Sequence, residues 1–281
     1  MAGRLLVAGL SVLDHVHRVD TLPEGGAKHR SHGFDTVGGG CAASAAVGAV
    51  RLGGAVALLT RLGADPAGDA LLALLQAQGL TVAAARGGRQ AVSSVMVDAA
   101  GERMIVNFGG ADLAEAVPPL PPFDAVLTDC RWAVAAEAVL RAARDAGRPG
   151  VIDGEKHVLE ALARLASHVV FSAPGLRDFA GLDDLDAALA ETAARLPGRV
   201  AYTDGPHGVV WAGGPHLPAP VVRAVDTLGA GDLWHGAFAL ALARGEGLDD
   251  ASRFANLAAA VRCARAGGWE VWPTAAELED A

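Results

Sequence analysis

Residues 225–242 read VDTLGAGDLWHGAFALAL. Gly229, Ala230 and Gly231 carry almost no side chain and lead directly into an apolar-periodic run, so bare backbone N–H groups and a helix N-terminus converge where an anion can sit. Asp232 falls in the first turn of that helix, beside the anion position and within reach of a hydroxyl attacking a phosphoryl group. By spacing alone the stretch is equally a glycine-rich turn with an aspartate at an ordinary helix start.

Outward from this segment, short apolar runs alternate with helical ones. RLLVAGL (residues 4–10) has the length and composition of a buried parallel strand, and an alanine-rich helix runs from Cys41 to Leu52 behind three glycines. AVALLTRLG precedes the helical AGDALLALLQAQGL; AVLTD, PGVID, HVVFS, RVAYTD and GVVWAG then alternate with AVAAEAVLRAARDAG and VLEALARLA, and helices at about 231–244 and 250–265 close the chain. This order predicts an α/β fold, a doubly wound parallel sheet flanked by helices, with one main core in 281 residues. Two stretches break the pattern. Residues 13–37 are polar, rich in His and interrupted by Pro23, Gly25 and Gly26, and VSSVMVDAAGERMIVNF (92–108) reads as a hairpin about Ala100 and Gly101. Segments 13–37 and 89–108 are therefore read as a small β lid, with 1–12, 38–88 and 109–281 as the core, although two separate surface hairpins would give the same pattern.

Composition narrows the function. Hydrophobic residues make up 52% and charged residues 20%, which suits a compact buried core. A net charge of -9 argues against a nucleic-acid partner, so an anionic ligand needs a local basic pocket. Among 23 basic residues only Lys28 and Lys156 are lysines, which singles them out. Cys41, Cys130 and Cys263 are odd in number and never paired as C-x-x-C, so neither a disulfide framework nor a zinc site is expected, and a reducing cytoplasm fits. MAGRLLVAGLSVLD meets Asp14 too soon for a secretory leader, and no apolar run approaches the roughly 18 to 20 residues of a membrane span.

DTLGAGD (226–232), followed by bulky residues and Gly236, resembles the C-terminal signature of the ribokinase-like (PfkB) carbohydrate kinases. VGGGCAASAAVGAVRLGG (37–54) and Asp14 are similar to the N-terminal half of that pattern, and the likeness covers essentially the whole chain. It implies that Gly229, Ala230 and Gly231 form the anion hole, that Asp232 is the catalytic base, and that ATP and Mg2+ are required. It further implies that Asp14, Gly39 and Gly40 hold sugar hydroxyls, with Ser44 where many members carry Asn. Thr203, Gly205 and Gly208 in YTDGPHG match the nucleotide segment, and Asn256 and Gly267 fall where the family lines the adenine pocket. Asp226 and Thr227 correspond to a cation site at the turn. The N-x-x-E motif that organises magnesium in many relatives aligns with SAPG (Ser172 to Gly175), so both side chains are lost and Asp153 or Glu155 is left to act through water.

Within the family, VGGGCAASAAV, GERMIVNF, LTDCRW, FSAPGL and DTLGAGDLWHGAFALALA resemble the sulfofructose kinases. That likeness implies a sulfonate held by Lys28, Asn107 and Arg131, a 6-deoxy-6-sulfofructose substrate phosphorylated at its 1-hydroxyl, and a homodimer joined through the lid. Read from the residues, Lys28 and Asn107 belong to the two excursions and Arg131 ends a strand, where α/β ligands bind. His235, Trp132, Trp211 and Trp234 are expected to pack. A dinucleotide oxidoreductase is excluded by the absence of G-x-G-x-x-G at the first turn, and a P-loop kinase by the absence of G-x-x-x-x-G-K-[ST]. Ribose, fructose or a phosphorylated ketose as substrate, and a non-enzymatic sugar- or nucleotide-sensing descendant, stay open.

Overall fold

The computed structural model describes residues 3–279; the outermost residues of the first and last expected core segments, 1–2 and 280–281, lie outside the described residues. In chain order the elements are β1 (Arg4–Gly9), β2 (Val12–Arg18), β3 (Gly33–Gly39), α1 (Cys41–Arg51), β4 (Ala55–Leu62), α2 (Pro66–Ala77) and β5 (Thr81–Arg86). There follow β6 (Val92–Val97), β7 (Arg103–Phe108), β8 (Ala125–Thr128), α3 (Ala133–Asp145), β9 (Gly150–Gly154), α4 (Glu160–Ala163), β10 (His168–Ser172), α5 (Ala173–Ala180) and α6 (Leu185–Arg195). The chain ends through β11 (Arg199–Thr203), β12 (Val209–Trp211), β13 (His216–Leu217), α7 (Ala230–Ala243), α8 (Leu248–Cys263) and α9 (Ala275–Glu279).

Nine strands form one sheet in the order β13-β12-β11-β10-β9-β8-β1-β4-β5. Strands β4 and β8 flank β1 in parallel, so the chain steps outward from β1 in both directions. Helices cover both faces. Leu5, Val7 and Leu58 meet α1, α2, α7 and α8 on one side, while Leu6, Leu59, Ile152 and Phe171 meet α3, α5 and α6 on the other. Helices α1 and α7 lie in close contact because Gly236 has no side chain: a Cβ there would stand 2.3 Å from the Ala45 carbonyl oxygen. Among the described residues no helix is long and apolar enough to cross a membrane.

The two excursions pair with each other as a separate four-stranded sheet, β3-β2-β6-β7. Antiparallel β6–β7 is the expected hairpin, and β2 joins it in parallel through Asp14–Ser93. Two sequence expectations change, and SAPG gains a local role. GVVWAG was expected among the parallel strands, but β12 and β13 run antiparallel because Gly205 and Gly208, both at positive φ, turn the chain straight back at the sheet edge. The helical run over 158–166 shrinks to four residues, tightening at its end into short-range turns at Leu165 and Ala166. SAPG instead opens α5: the Ser172 hydroxyl accepts the Gly175 N–H at 3.1 Å and Pro174 lies in the first turn.

Candidate active site

In an open parallel sheet, ligands bind beyond the strand C-termini, at the point where the strand order reverses. Here that point lies between β1 and β8. Asp129, one residue past β8, is 6% exposed and accepts three backbone N–H groups: Leu10 at 2.8 Å, Ala42 at 3.1 Å and Arg131 at 2.9 Å. One carboxylate thus ties the end of β1, the start of α1 behind Gly39 and Gly40, and the turn that carries Arg131. The turn passes through Cys130 at φ 59°, and Gly9 leaves room for Asp129, since a Cβ would fall 2.1 Å from its oxygen. Burial is the main influence on Asp129 and raises its pKa above the usual carboxylate value, against its three N–H bonds and the Arg131 charge.

Asp232 stands in the first turn of α7, capped by Gly229 in the left-handed region at φ 71°. A side chain at Gly229 would also meet the Trp272 ring at 2.6 Å, whereas a Cβ at Gly231 would meet nothing within 4 Å, so Gly231 borders open space. The Ala230 N–H donates to the Thr227 carbonyl at 3.2 Å. Gly231 and Asp232 supply the first-turn N–H groups for which a helix has no acceptor. Burial, then repulsion from Asp153, Asp129 and Glu155, raises Asp232 well above an ordinary aspartate.

One ligand atom each of Asp232, Asp153 and Cys41 lie within 4.8 Å of one another. Asp153, in β9, is 4% exposed and is pushed up to about 6, chiefly by burial, with Glu155 and Asp129 adding to the rise and His235 and Arg131 opposing it. The Cys41 thiol is raised by burial and then by Asp232, Asp153 and Asp129; it is an inert neighbour, since nucleophilic cysteines need a lowered pKa. His235 is buried, with Nδ1 2.9 Å from the Gly231 carbonyl and Nε2 3.0 Å from the Val170 carbonyl. It therefore pins the first turn of α7 to β10, a more specific task than the packing role expected of it.

On the lid, Asp14, Ser93 and Asn107 share one row across β2, β6 and β7. Asp14 is raised by burial, against its hydrogen bond to Ser93, and it lies so close to Gly39 that a Cβ there would fall 2.2 Å from its carboxylate. Gly40 takes φ 95° at the start of α1. Ser44 is buried, and its hydroxyl accepts the Trp269 indole N–H at 3.3 Å. Arg131, Asn107 and Lys28 are exposed, and among the described residues none of their side chains makes a hydrogen bond or ion pair. Asn107 falls in the Asp14 row and Arg131 is anchored by Asp129, while Lys28 lies in the β2–β3 connection without a structural tie to either.

Where the sequence suggested a nucleotide segment, Thr203 ends β11, and its hydroxyl donates to the Phe171 carbonyl at 3.4 Å. Gly208 approaches the Leu217 carbonyl to 2.2 Å from a would-be Cβ. Asn256 stands in α8 against the end of β13. It is buried, donates to the Leu217 and Pro218 carbonyls at 2.8 and 3.3 Å and accepts the Trp234 indole N–H at 2.7 Å. These bonds hold Asn256 between α7 and the end of β13.

Asp226 is held by two arginines that sequence reasoning missed, Arg103 from the lid at 2.9 Å and Arg262 from α8 at 2.9 Å. The Arg103 pair joins the small four-stranded sheet to the turn before α7. Burial opposes its ionisation, but the Leu228 N–H and the two guanidiniums hold Asp226 down at about 2. Asp129 was missed as well, and Asp153 was considered only as a metal helper. Their position at strand C-termini in LTDC and GVID is the one signal that pointed to them.

Residues 2–275 match the model of the pfkB family carbohydrate kinases. A ribokinase of Bacillus subtilis is 37% identical over 98 residues, 34% of this chain and 33% of that protein, so the matched stretch spans a third of the relative's length. The structure of a provisionally assigned ribokinase of Agrobacterium tumefaciens superposes with TM-score 0.92 at 36% identity, covering 100% of this chain and 97% of that one. The Arabidopsis thaliana ribokinase, complexed with ribose and ATP, shares the fold at TM-score 0.83 and 22% identity over 100% of this chain and 98% of that one.

Proposed function

The chain belongs to the pfkB family of carbohydrate kinases, and from that premise we propose that it is an ATP-dependent ketose kinase, converting 6-deoxy-6-sulfofructose to its 1-phosphate. The observation that carries the kinase reading is Asp232, raised in pKa and placed beside the open space at Gly231 and the free N–H groups of α7. Asp232 accepts the proton of the sugar hydroxyl as that oxygen bonds to the γ-phosphorus. The bond from phosphorus to the β–γ bridging oxygen breaks and ADP leaves. Gly231 and Asp232 N–H groups face the charge on the transferring group. Nucleotide binding at the β11–α8 side is supported by the family and by the ATP held in the Arabidopsis thaliana ribokinase.

Magnesium fits the oxygen donors present. Asp153 and Glu155 would hold it through water, where a cation would offset the burial and the Glu155 and Asp129 charges that raise Asp153 to about 6. When bound, it would neutralise charge on the phosphates. Ser172 and Gly175 cannot replace the lost N-x-x-E pair, because the Ser172 hydroxyl caps α5.

The anionic end of the sugar is assigned to Arg131, Asn107 and Lys28. A guanidinium grips two oxygens, an ammonium adds a point charge and an amide one neutral donor. Support comes from their unpaired side chains and from the anchoring of Arg131 by Asp129. The test is kcat/KM for sulfofructose, fructose 6-phosphate, fructose and ribose under matched conditions. Each charge-assisted bond lost, worth roughly 1.5 to 3 kcal/mol, should cost at least about tenfold. Equal efficiency for fructose and the sulfonate would leave only the sugar-kinase reading. Ribose is the second reading, favoured by the Agrobacterium tumefaciens likeness. Absence of ATP turnover with any sugar would favour a sensing role. Strand β7 is exposed throughout, including Ile105 and Val106 at 50% and 61%. A homodimer covering this edge is part of the proposal, checked by light scattering.

A further inference from the structure

The family resemblance implies a cation at Asp226 and Thr227, and the residues present do not fit one. We propose that Arg262 is an in-chain substitute for a monovalent cation, so that this protein needs no K+ or similar activator. A dehydrated monovalent ion is bound where backbone carbonyls replace its water. Such a convergence exists behind the turn that leads into α7: the carbonyls of Asp226, Arg265 and Gly267, with the Asp226 carboxylate. All four oxygens are already taken by one guanidinium. Arg262 Nη1 donates to the Asp226 carbonyl at 3.3 Å and to the Arg265 carbonyl at 2.5 Å. Nη2 donates to the Gly267 carbonyl at 3.0 Å and to the Asp226 carboxylate at 2.9 Å. The side chain is 1% exposed, with its guanidinium 6.0 Å from the Trp272 ring centroid.

Its charge is transmitted to the active site through short links. The Asp226 oxygen not facing Arg262 accepts the Leu228 N–H at 3.0 Å and so sets the turn that delivers Gly229 in its left-handed conformation. The N–H groups of Val225 and Asp226 both donate to the Cys263 carbonyl, the residue after Arg262 on α8. A planar fork bonded to four oxygens holds this loop from within the chain. Arg262 is thus a positioning residue, acting through Asp226 on the Gly229–Gly231 turn.

The activity arm of the test rests on the kinase reading; the stability arm does not. Wild-type protein is compared in tetramethylammonium and in K+ at equal ionic strength. The expected result is an unchanged Tm and a kcat that differs by less than about twofold, the size of a salt effect without a bound ion. A larger activation by K+, or a K+-dependent Tm, overturns the proposal. Arg262→Ala should lose roughly tenfold or more in kcat, as expected when hydrogen bonds to a charged group are removed. Guanidinium at non-denaturing concentration, or K+, should restore part of the kcat and raise the variant's Tm, whereas tetramethylammonium should not. A folded Arg262→Ala protein with wild-type kcat, or one rescued by neither cation, overturns it too. Should that variant fail to fold, the wild-type comparison still decides. If no sugar supports turnover, the kinase reading fails and the Tm comparison continues to test Arg262.

Discussion

Asp153 and Asp232 come from a strand end and a helix start that are far apart in the chain, yet they bring carboxylate oxygens within 4.8 Å of each other. Two buried carboxylates at that separation resist ionising together: burial is the main cause that raises each, and the charge of Asp153 raises Asp232 further. A base that holds its proton more tightly is the better acceptor for a sugar hydroxyl, provided it is ionised when the sugar arrives.

Asp232→Asn keeps the shape of the side chain and removes the proton acceptor. Nucleotide and sugar binding should be nearly unchanged while kcat falls by about 10² to 10⁴. Pre-steady-state turnover measures this directly, and retention of more than about a third of kcat with chemistry limiting would reassign the base.

The acid limb of the pH–rate profile should lie well above the ordinary aspartate value of about 4, because Asp232 is raised by burial and by neighbouring carboxylates and must be ionised to act. Asp153→Asn removes one repelling charge. The acid limb should then move to lower pH, and a limb that stays put would show that Asp153 does not set it.

The same substitution has a signed effect on stability. Asp153 is raised in the folded state, so its neutral form favours folding. That contribution is fully present below the unfolded value of about 4 and is lost as pH rises through about 6. Asp153→Asn should therefore stabilise the protein at pH 8 by up to about 3 kcal/mol and make little difference at pH 4. Thermal unfolding at the two pH values checks the sign; an equal gain at both would contradict it.

Asp129→Asn leaves one acceptor oxygen where three backbone N–H groups now converge and turns an N–H of its own toward them. A loss of more than about 2 kcal/mol is expected in urea unfolding. With Arg131 released from its anchor, discrimination between sulfofructose and fructose should fall as well, more than kcat for either sugar. Unchanged stability and discrimination would remove Asp129 from this role.

The parallel core was legible because its strands are short apolar runs separated by amphipathic helices, a pattern that local chemistry alone produces. RLLVAGL became β1 and the alanine-rich run after Gly40 became α1. Legible too was the turn at Gly229–Asp232, since glycine spacing, helix start and carboxylate are all consecutive in the chain. β12 was misread as continuing the parallel order, because a strand's composition does not reveal its direction at a sheet edge.

What the sequence by itself determined is therefore local: strand, helix, glycine turn, and Asp232 at a helix start. Tertiary structure alone decided the company Asp232 keeps. Asp129 meets the Leu10 N–H across 119 residues, and Arg262 meets Asp226 across 36. Asp153 reaches Asp232 only because β9 stands where α7 begins. These groups carry no local signature, for a buried aspartate or arginine looks in sequence like a solvated one. Its partners are chosen by strand order and helix packing, and the low-dielectric interior then turns that proximity into shifted pKa values and fixed charge.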